Sequence, residues 1–330
     1  MFHTQDHFRC PNHECRHHQD PQGNWFTNKR SYRLKWSGQY VRRYRCKTCG
    51  ATFSAATFKD TYRQHKPYLN KQVFKCYSNS TSQRQIAEIC STTRKTVVRK
   101  FRYLADKARQ VHAVEILSGN LKTTEVQFDE QETFLRSKKL PLSIAIAVDG
   151  RRRKLKNGGG KIIDINVGTM PAKSRNAKAS QEQYGFQPDQ RAYTCQTVLN
   201  NVKIATGGKV EITTDAKPQY RSYVVKILCK ATHVTFNRSA DEKERYSRSD
   251  KHPLWYVNQA CAANRHDVSR LRRKTCVTTK EVHELRRHLW LYVAHRNGYE
   301  RDLLDPLFTM TKFRRIKDEL SIENSEALRA

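Results

Sequence analysis

The sequence has few acidic residues for its length and no long apolar run. It carries 31 Asp and Glu against 63 Lys and Arg in 330 residues, which gives a formal net charge of +32. No stretch approaches the roughly 20 uninterrupted apolar residues that a membrane-spanning helix needs. The start, MFHTQDHFRC, lacks the apolar core of a secretory signal. These absences exclude a chain that lies mostly in a membrane.

The excess of positive charge points to a class of partner. The positive charges of so basic a chain repel one another, and a polyanionic partner would neutralise them. Nucleic acid is the commonest polyanion. We therefore expect a basic, soluble, intracellular protein that binds nucleic acid. The length is compatible with two or three domains.

The ten cysteines divide into single residues and short pairs. A reducing compartment keeps thiols free, so their spacing becomes informative. Four cysteines form two pairs, CPNHEC with Cys10 and Cys15, and CKTCG with Cys46 and Cys49. Two such knuckles are typical of tetrahedral zinc, and metal binding would supply folding energy to a small domain of about 50 residues. Three nearby histidines remain alternative ligands: His13, His17 and His18.

The next segment predicts a helix-turn-helix. Residues 68–78 have the pattern of one helix. Two more helices follow in TSQRQIAEICSTTRKTVVRKFRYLADKA. Thr92 or Thr93 can cap the last helix. Its exposed side would carry the cations that a recognition helix needs in a major groove: Arg94, Lys95, Arg99, Lys100 and Arg102.

From about residue 123 the pattern changes to that of an α/β domain. Three strand-like runs are followed by helix, strand, helix, strand and helix, which is the order of an RNase-H-like mixed sheet flanked by helices. Asp129 shares a strand face with Gln127 and Gln131, and Asp215 ends a later strand. The two carboxylates would be neighbours at the sheet centre, where two-metal phosphoryl transfer places such acids.

Motifs in order along the chain carry a family resemblance: CPNHEC with RYRCKTCGATFS, SQRQIAEICSTTRKTVVRKFRYL, QFDEQETF, VGTMPAK, TTDAKPQY and HPLWYVNQACAANRHDVSRLRRKTCVTTK. The chain resembles the insertion-sequence transposases that join a zinc ribbon and a helix-turn-helix to a DDE-type RNase-H-like catalytic domain. The resemblance implies a mobile-element enzyme for DNA transposition and recombination. Such an enzyme binds terminal inverted repeats, then cleaves and transfers DNA strands with divalent metal.

The resemblance also implies site residues. Asp129 and Asp215 fall on the family's first two magnesium-binding acids, and Asn258 stands at the third position. An amide oxygen is a weaker ligand for Mg²⁺ than a carboxylate but is still a hard donor. Other candidates for the third ligand are Glu130, Glu132 and Asp267. A basic run beside the site is expected to contact DNA phosphates: Arg265, Arg270, Arg272, Arg273 and Lys274.

The expected organisation is a zinc ribbon over residues 1–58, a helix-turn-helix over 59–115, a catalytic domain over 116–300 and a tail over 301–330. The expected cofactors are structural Zn²⁺ and catalytic Mg²⁺ or Mn²⁺. The expected partner is double-stranded DNA, bound by a homodimer or larger oligomer in the bacterial cytoplasm at the nucleoid. Two alternatives stay open: a catalytically decayed or repurposed transposase that acts as a sequence-specific DNA-binding protein, and a zinc-ribbon transcription factor with an unrelated α/β domain.

Overall fold

A computed structural model of the chain describes residues 8–34, 37–151, 160–174, 176–237, 252–272, 275 and 277–313. These residues form two compact units. One contains the chain up to Leu69 together with the described residues from Asp305 onward, and the other runs from Asn70 to Leu304. The helices that follow Leu69 therefore belong to the same unit as the large sheet.

The first unit is built on a three-stranded antiparallel sheet in the order β1-β2-β3. Its elements are α1 (Arg16–Gln19), β1 (Phe26–Arg33), β2 (Tyr40–Cys46) and β3 (Thr52–Phe53). Strand alternation turns Tyr44 and Cys46 inward while Arg43 and Arg45 stay exposed. The core combines cysteines with aromatic rings from Phe8, Trp25, Phe26, Tyr44 and Phe53.

The second unit begins with three helices, α2 (Asn70–Ser78), α3 (Gln83–Ile89) and α4 (Arg94–Leu117). Ser82 caps α3 by accepting a hydrogen bond from the Gln85 backbone N–H, and Thr93 caps α4 by accepting one from Thr96. Between them Ser91 has a φ of 45°, which ends the first of the two helices. None of the described helices is both long enough and apolar enough to cross a membrane.

A five-stranded mixed sheet forms the centre of the second unit, in the order β6-β5-β4-β7-β8. Its strands are β4 (Glu125–Phe134), β5 (Pro141–Asp149), β6 (Ile162–Thr169), β7 (Glu211–Asp215) and β8 (Thr232–Phe236). Strands β4, β5 and β6 pair antiparallel, whereas β4, β7 and β8 pair parallel. The fold is thus a mixed α/β architecture with two sheets and several helices.

The remaining helices cover this sheet. They are α5 (Asn176–Tyr184), α6 (Arg191–Thr206), α7 (Pro218–Ile227), α8 (Trp255–Asp267), α9 (Val282–Arg296) and α10 (Glu300–Leu304). One sheet face is apolar and packs on α6 and α7, with Phe128, Val198 and Val224 in its core. On the other face α8 crosses β4, where the Val257 backbone N–H donates to Gln127 Oε1 at 3.0 Å.

Helix α9 connects α4 with the sheet, because it contacts both α4 and β6. The ring of buried His288 on α9 lies 5.3 Å from the ring of Tyr77 on α2 and 5.7 Å from that of Phe101 on α4. Burial lowers the pKa of His288 to about 3, so the imidazole is neutral and behaves as part of the core. The helical segment formed by α2, α3 and α4 and the five-stranded sheet therefore share one core.

We expect Phe101→Ala to lower the free energy of unfolding of this unit by about 3–5 kcal/mol, because it empties a fully buried site. Urea unfolding followed by circular dichroism measures the change. Ile89→Ala, at a side chain that is 52% exposed on α3, is the control and should change stability by less than about 0.5 kcal/mol. Equal effects of the two substitutions would contradict the shared core.

Candidate functional site

The four paired cysteines converge in the first unit. The Sγ atoms of Cys10 and Cys49 lie 3.3 Å apart, and those of Cys15 and Cys46 lie 3.8 Å apart. All four sulfur atoms fall within 4.8 Å of one another. Tetrahedral zinc with bonds of about 2.3 Å to sulfur needs sulfur separations of about 3.8 Å. The predicted cysteine cluster is confirmed, and it could bind zinc.

The turns around the cluster explain the spacing of the pairs. Gly50 has a φ of +73°, a left-handed conformation that favours glycine, and its N–H donates to the Cys46 carbonyl at 3.1 Å. The histidines have other contacts: the His18 ring meets the Cys10 carbonyl oxygen, and the His17 ring stacks on Trp25. The candidate metal centre in the described chain therefore consists of the four cysteines alone.

We expect the purified protein to hold about one zinc ion per chain and to lose it in Cys15→Ser, because three thiolates leave the tetrahedron open. A colorimetric zinc assay after thiol modification measures the content. Cys229→Ser, at an exposed cysteine outside the cluster, is the matched control and should keep its zinc. Equal zinc in both variants would refute the site.

The pairing of β4 with β7 brings the two predicted acids together. Val126 pairs with Ile212 and Gln127 pairs with Thr213 in parallel register. Two residues further along, the same register places Asp129 beside Asp215, where β7 ends. Because side chains alternate along a strand, both carboxyl groups project from the face opposite the apolar core.

The charge of Asp215 acts on the Asp129 carboxyl group. Burial, and then the negative charges of Asp215 and Glu130, raise the pKa of Asp129 from 3.8 to about 6, although a hydrogen bond from the Glu130 backbone N–H opposes the rise. Asp215 Oδ1 accepts a hydrogen bond from the Lys217 backbone N–H at 3.2 Å. Two adjacent carboxylates offer hard oxygen donors, which is the donor set that Mg²⁺ and Mn²⁺ prefer.

Helix α8 lies across β4 on the face that carries Asp129. Gln127 and Gln131 flank Asp129 on the same face of β4, and both accept hydrogen bonds from α8, the second from Asn264 Nδ2 at 3.1 Å. The Cys261 thiol has its pKa raised by burial and by the charge of Asp129. Asn258 is half-buried and precedes Cys261 by three residues, hence on the same side of the helix. The candidate third ligand is thus on the helix that packs on β4 beside Asp129.

The other candidates for a third ligand lie elsewhere. Strand β4 pairs with β5 in unbroken register from Val126 to Phe134, so it has no bulge that could turn Glu130 toward Asp129. Glu132 is exposed and forms an ion pair with Lys173 at 2.6 Å. Asp267 stands at the last residue of α8 and contacts His266 Nδ1 at 2.8 Å.

Glu130 belongs to a polar cluster on the opposite sheet face, which sequence reasoning missed. Its carboxylate accepts hydrogen bonds from Ser143 Oγ at 2.6 Å, from Tyr220 OH at 3.0 Å and from Lys217 Nζ. These donors hold the pKa of Glu130 below its usual value although burial opposes them. Lys217 and Tyr220 follow Asp215 in the motif TTDAKPQY, which was the only available signal.

The described residues of the basic run, which begins inside α8, do not form one exposed surface. Arg265 is half-buried near Cys261, and its charge lowers the pKa of that thiol. Arg272 is exposed, and its Nε donates to the His266 carbonyl. Arg270 departs from the expectation of a phosphate contact: its guanidinium lies 6.0 Å from the Phe101 ring, and burial lowers its pKa. Arg273 and Lys274 lie outside the described residues.

The first turns of α4 present three of the predicted cations. Arg94, Lys95 and Arg99 are exposed. The prediction for Lys100 was wrong, because this side chain is only 3% exposed. Lys100 follows Val97 by three residues and therefore lies on the buried side of the helix. Burial lowers its pKa to about 8.

Comparison of the chain with protein-family models and with curated proteins finds no match to either. The functional assignment therefore depends on the site itself.

The raised pKa of Asp129 has a consequence for stability. Because its folded-state pKa of about 6 lies above 3.8, the native state binds the proton more tightly, and this contribution is lost as the pH rises through about 6. We expect Asp129→Asn to stabilise the metal-free protein at pH 7.5 by on the order of 1–3 kcal/mol, with a smaller gain at pH 5.

Urea unfolding at the two pH values measures the difference. Glu125→Gln is the matched control, since Glu125 is exposed on the same strand and face. It should show no such pH-dependent gain. A gain for Asp129→Asn that is equal at both pH values would show that Asp129 is not held in a repulsive carboxylate pair.

Proposed function

We propose that this protein is a DNA transposase that binds the terminal inverted repeats of its element and carries out metal-dependent strand cleavage and strand transfer. The observation that carries the proposal is the pair Asp129 and Asp215, side by side on one face of the central sheet. Such a pair is the arrangement that two-metal phosphoryl transfer requires. The +32 net charge favours DNA as the phosphodiester substrate.

The sheet supports the RNase-H-like part of the proposal. Three antiparallel strands come first in the chain. Strand β7 then pairs parallel with the first of them, β4, and β8 pairs parallel with β7, each after a helix. Asp129 lies on the first of these strands at the centre of the sheet, and Asp215 ends its parallel neighbour. This order agrees with the sequence expectation of strands and helices, and the acids occupy adjacent central strands.

The acid pair fits Mg²⁺ or Mn²⁺ because its donors are carboxylate oxygens whose mutual repulsion a cation would relieve. Bound divalent metal supplies activation of the attacking water or 3′-hydroxyl and stabilisation of the leaving 3′-oxygen. Asp129 and Asp215 would hold it, and the Asn258 amide oxygen on α8 would be the third, weaker donor. Asn258 adds no charge to the site.

Neighbouring residues orient the acids. The Lys217 backbone N–H fixes one oxygen of Asp215, and the Lys217 ammonium compensates the charge of Glu130 across the sheet. The same ammonium lowers the pKa of Asp129, which opposes the effect of burial. Lys217 thus keeps the end of β7 close to β4 and limits the uncompensated negative charge that phosphate groups would meet.

The helical segment supports DNA binding. Helices α3 and α4 are joined by a four-residue turn, and Arg94, Lys95 and Arg99 are exposed in the first turns of α4. The N-terminal residues of a recognition helix are the ones that reach base edges in a major groove. In the first unit, exposed Arg43 and Arg45 on β2 add cations that could contact phosphates. Strand transfer joins two element ends, so the proposal includes a dimer or a larger assembly on DNA.

One observation favours a second candidate function. Asn258 offers a neutral oxygen where a third carboxylate would bind metal more strongly. A decayed or repurposed transposase would keep the zinc-dependent and helical DNA-binding parts and lose cleavage. This candidate predicts specific binding to DNA ends without nicking.

We expect the protein to nick labelled duplexes that carry the flanks of its own gene when Mg²⁺ or Mn²⁺ is present. Asp215→Asn should reduce the rate about 10³-fold, because removal of one carboxylate costs several kcal/mol of transition-state stabilisation, and should leave gel-shift binding intact. Glu211→Gln, at an exposed acid on the same strand, is the matched control.

Three outcomes separate the candidates. Nicking that is lost only in Asp215→Asn supports the transposase. Specific binding without nicking by the unmodified protein supports the DNA-binding candidate. Nicking that persists in Asp215→Asn contradicts the role of the acid pair.

A further inference from the structure

The second unit contains a cavity that shares no residue with the acid pair. It has a volume of about 460 Å³, within the range of small-molecule sites, and lies among α4, α6, β6 and α9. The residues of interest are Arg109 and His112 of α4, Tyr193 and Asn201 of α6, Asp164 of β6, and Arg286 and Trp290 of α9. All of them lie within the described ranges.

Asp164 is the unusual residue of this cavity. It is 2% exposed, and its Oδ2 accepts a hydrogen bond from Asn201 Nδ2 at 2.8 Å. Its Oδ1 is buried and makes no well-formed hydrogen bond within the described part of the chain. Burial raises the pKa of Asp164 to about 7, although Asn201, the Ile165 backbone N–H and the charge of Arg109 oppose the rise. A buried acceptor without a partner is costly, so a ligand that donates an N–H to Oδ1 would be stabilised.

The other lining residues restrict the ligand further. Tyr193 is 70% exposed and Trp290 is half-buried, so two aromatic side chains are available for a flat ring. Arg109 and Arg286 are exposed cations at the same cavity. They would repel an ammonium ligand and attract a phosphate. The ligand must therefore have a flat face and N–H donors without positive charge.

We propose that this cavity binds the base of a guanine nucleotide, with its N–H edge on Asp164, its ring against Tyr193 or Trp290, and its phosphate near Arg109 and Arg286. Guanine presents two adjacent N–H donors to a carboxylate. Thymine presents one N–H between two carbonyl oxygens, which a carboxylate repels. The nucleotide could be an unpaired residue of bound DNA, as in enzymes that extrude a base from the duplex, or a free nucleotide.

The test measures binding of deoxyguanosine, dGMP and thymidine by equilibrium dialysis in metal-free buffer with about 0.5 M salt, which screens non-specific attraction to a basic chain. Uncharged deoxyguanosine should bind saturably and more tightly than thymidine. Tyr193→Ala should weaken deoxyguanosine binding about tenfold by loss of stacking. Phe186→Ala is the matched control, since Phe186 is 86% exposed and does not line the cavity.

Asp164→Asn tests the contact between the Asp164 carboxylate and the N–H edge of the base. The amide replaces one acceptor by a donor, so this near-isosteric variant should lose the preference for guanine over thymine. Equal binding of thymidine and deoxyguanosine to the unmodified protein, or equal binding by Tyr193→Ala and Phe186→Ala, would overturn the proposal. So would the absence of saturable deoxyguanosine binding.

A second arm distinguishes the two sources of the nucleotide. If the base comes from DNA, a duplex with one bulged guanine should bind more tightly than one with a bulged thymine, and Tyr193→Ala should remove the difference. If the ligand is a free nucleotide, dGMP should bind, and the duplexes with a bulged guanine and a bulged thymine should bind with equal affinity. Because no arm requires cleavage, nucleotide binding by a protein that does not nick DNA would leave this site standing while the proposed function fails.

Discussion

Parallel pairing between β4 and β7 is the interaction on which the candidate site depends. It places Asp129 beside Asp215, and burial together with the negative charges of Asp215 and Glu130 raises the pKa of Asp129 to about 6. The surrounding structure tolerates this arrangement through the hydrogen bond from the Lys217 backbone and through helix α8, which is anchored on Gln127 and Gln131 at either side of Asp129. A carboxyl group whose pKa is raised by burial and by neighbouring negative charge is costly for folding, and the cation binding that we propose would offset this cost.

The second physical feature is the core shared by the helical segment and the sheet. Helix α9 contacts α4 through His288 and Phe101, and it also covers β6. The exposed cations of α4 are therefore carried by the same unit as the acid pair. In the function that we propose, DNA bound at α4 and a phosphodiester held at the acids would therefore be positioned by one compact unit. The cavity around Asp164 lies among these same elements.

Local sequence patterns were sufficient to predict several features of the structure. The cysteine spacing predicted the cluster, the cap of α4 was expected at Thr92 or Thr93 and is formed by Thr93, and strand alternation placed Asp129 on the face of Gln127. Errors arose where a residue's environment depends on distant elements. Lys100 has the composition of an exposed basic helix but faces the core, and Arg270 packs over Phe101 of α4. The spacing of Lys100 from Val97 was a local signal of the buried face, whereas the contact of Arg270 with Phe101 has no signal in the neighbouring sequence.

The sequence by itself determined which residues could ligate metal, the helix and strand periods, and the positive charge, because these follow from residue type and short-range spacing. Only the tertiary structure decided which strand lies beside β4, that Glu130 faces Lys217 and Tyr220 instead of Asp129, and that Asp164 is buried with an oxygen unpaired among the described residues. Strand neighbours and burial depend on contacts between residues far apart in the chain, which periodicity does not encode.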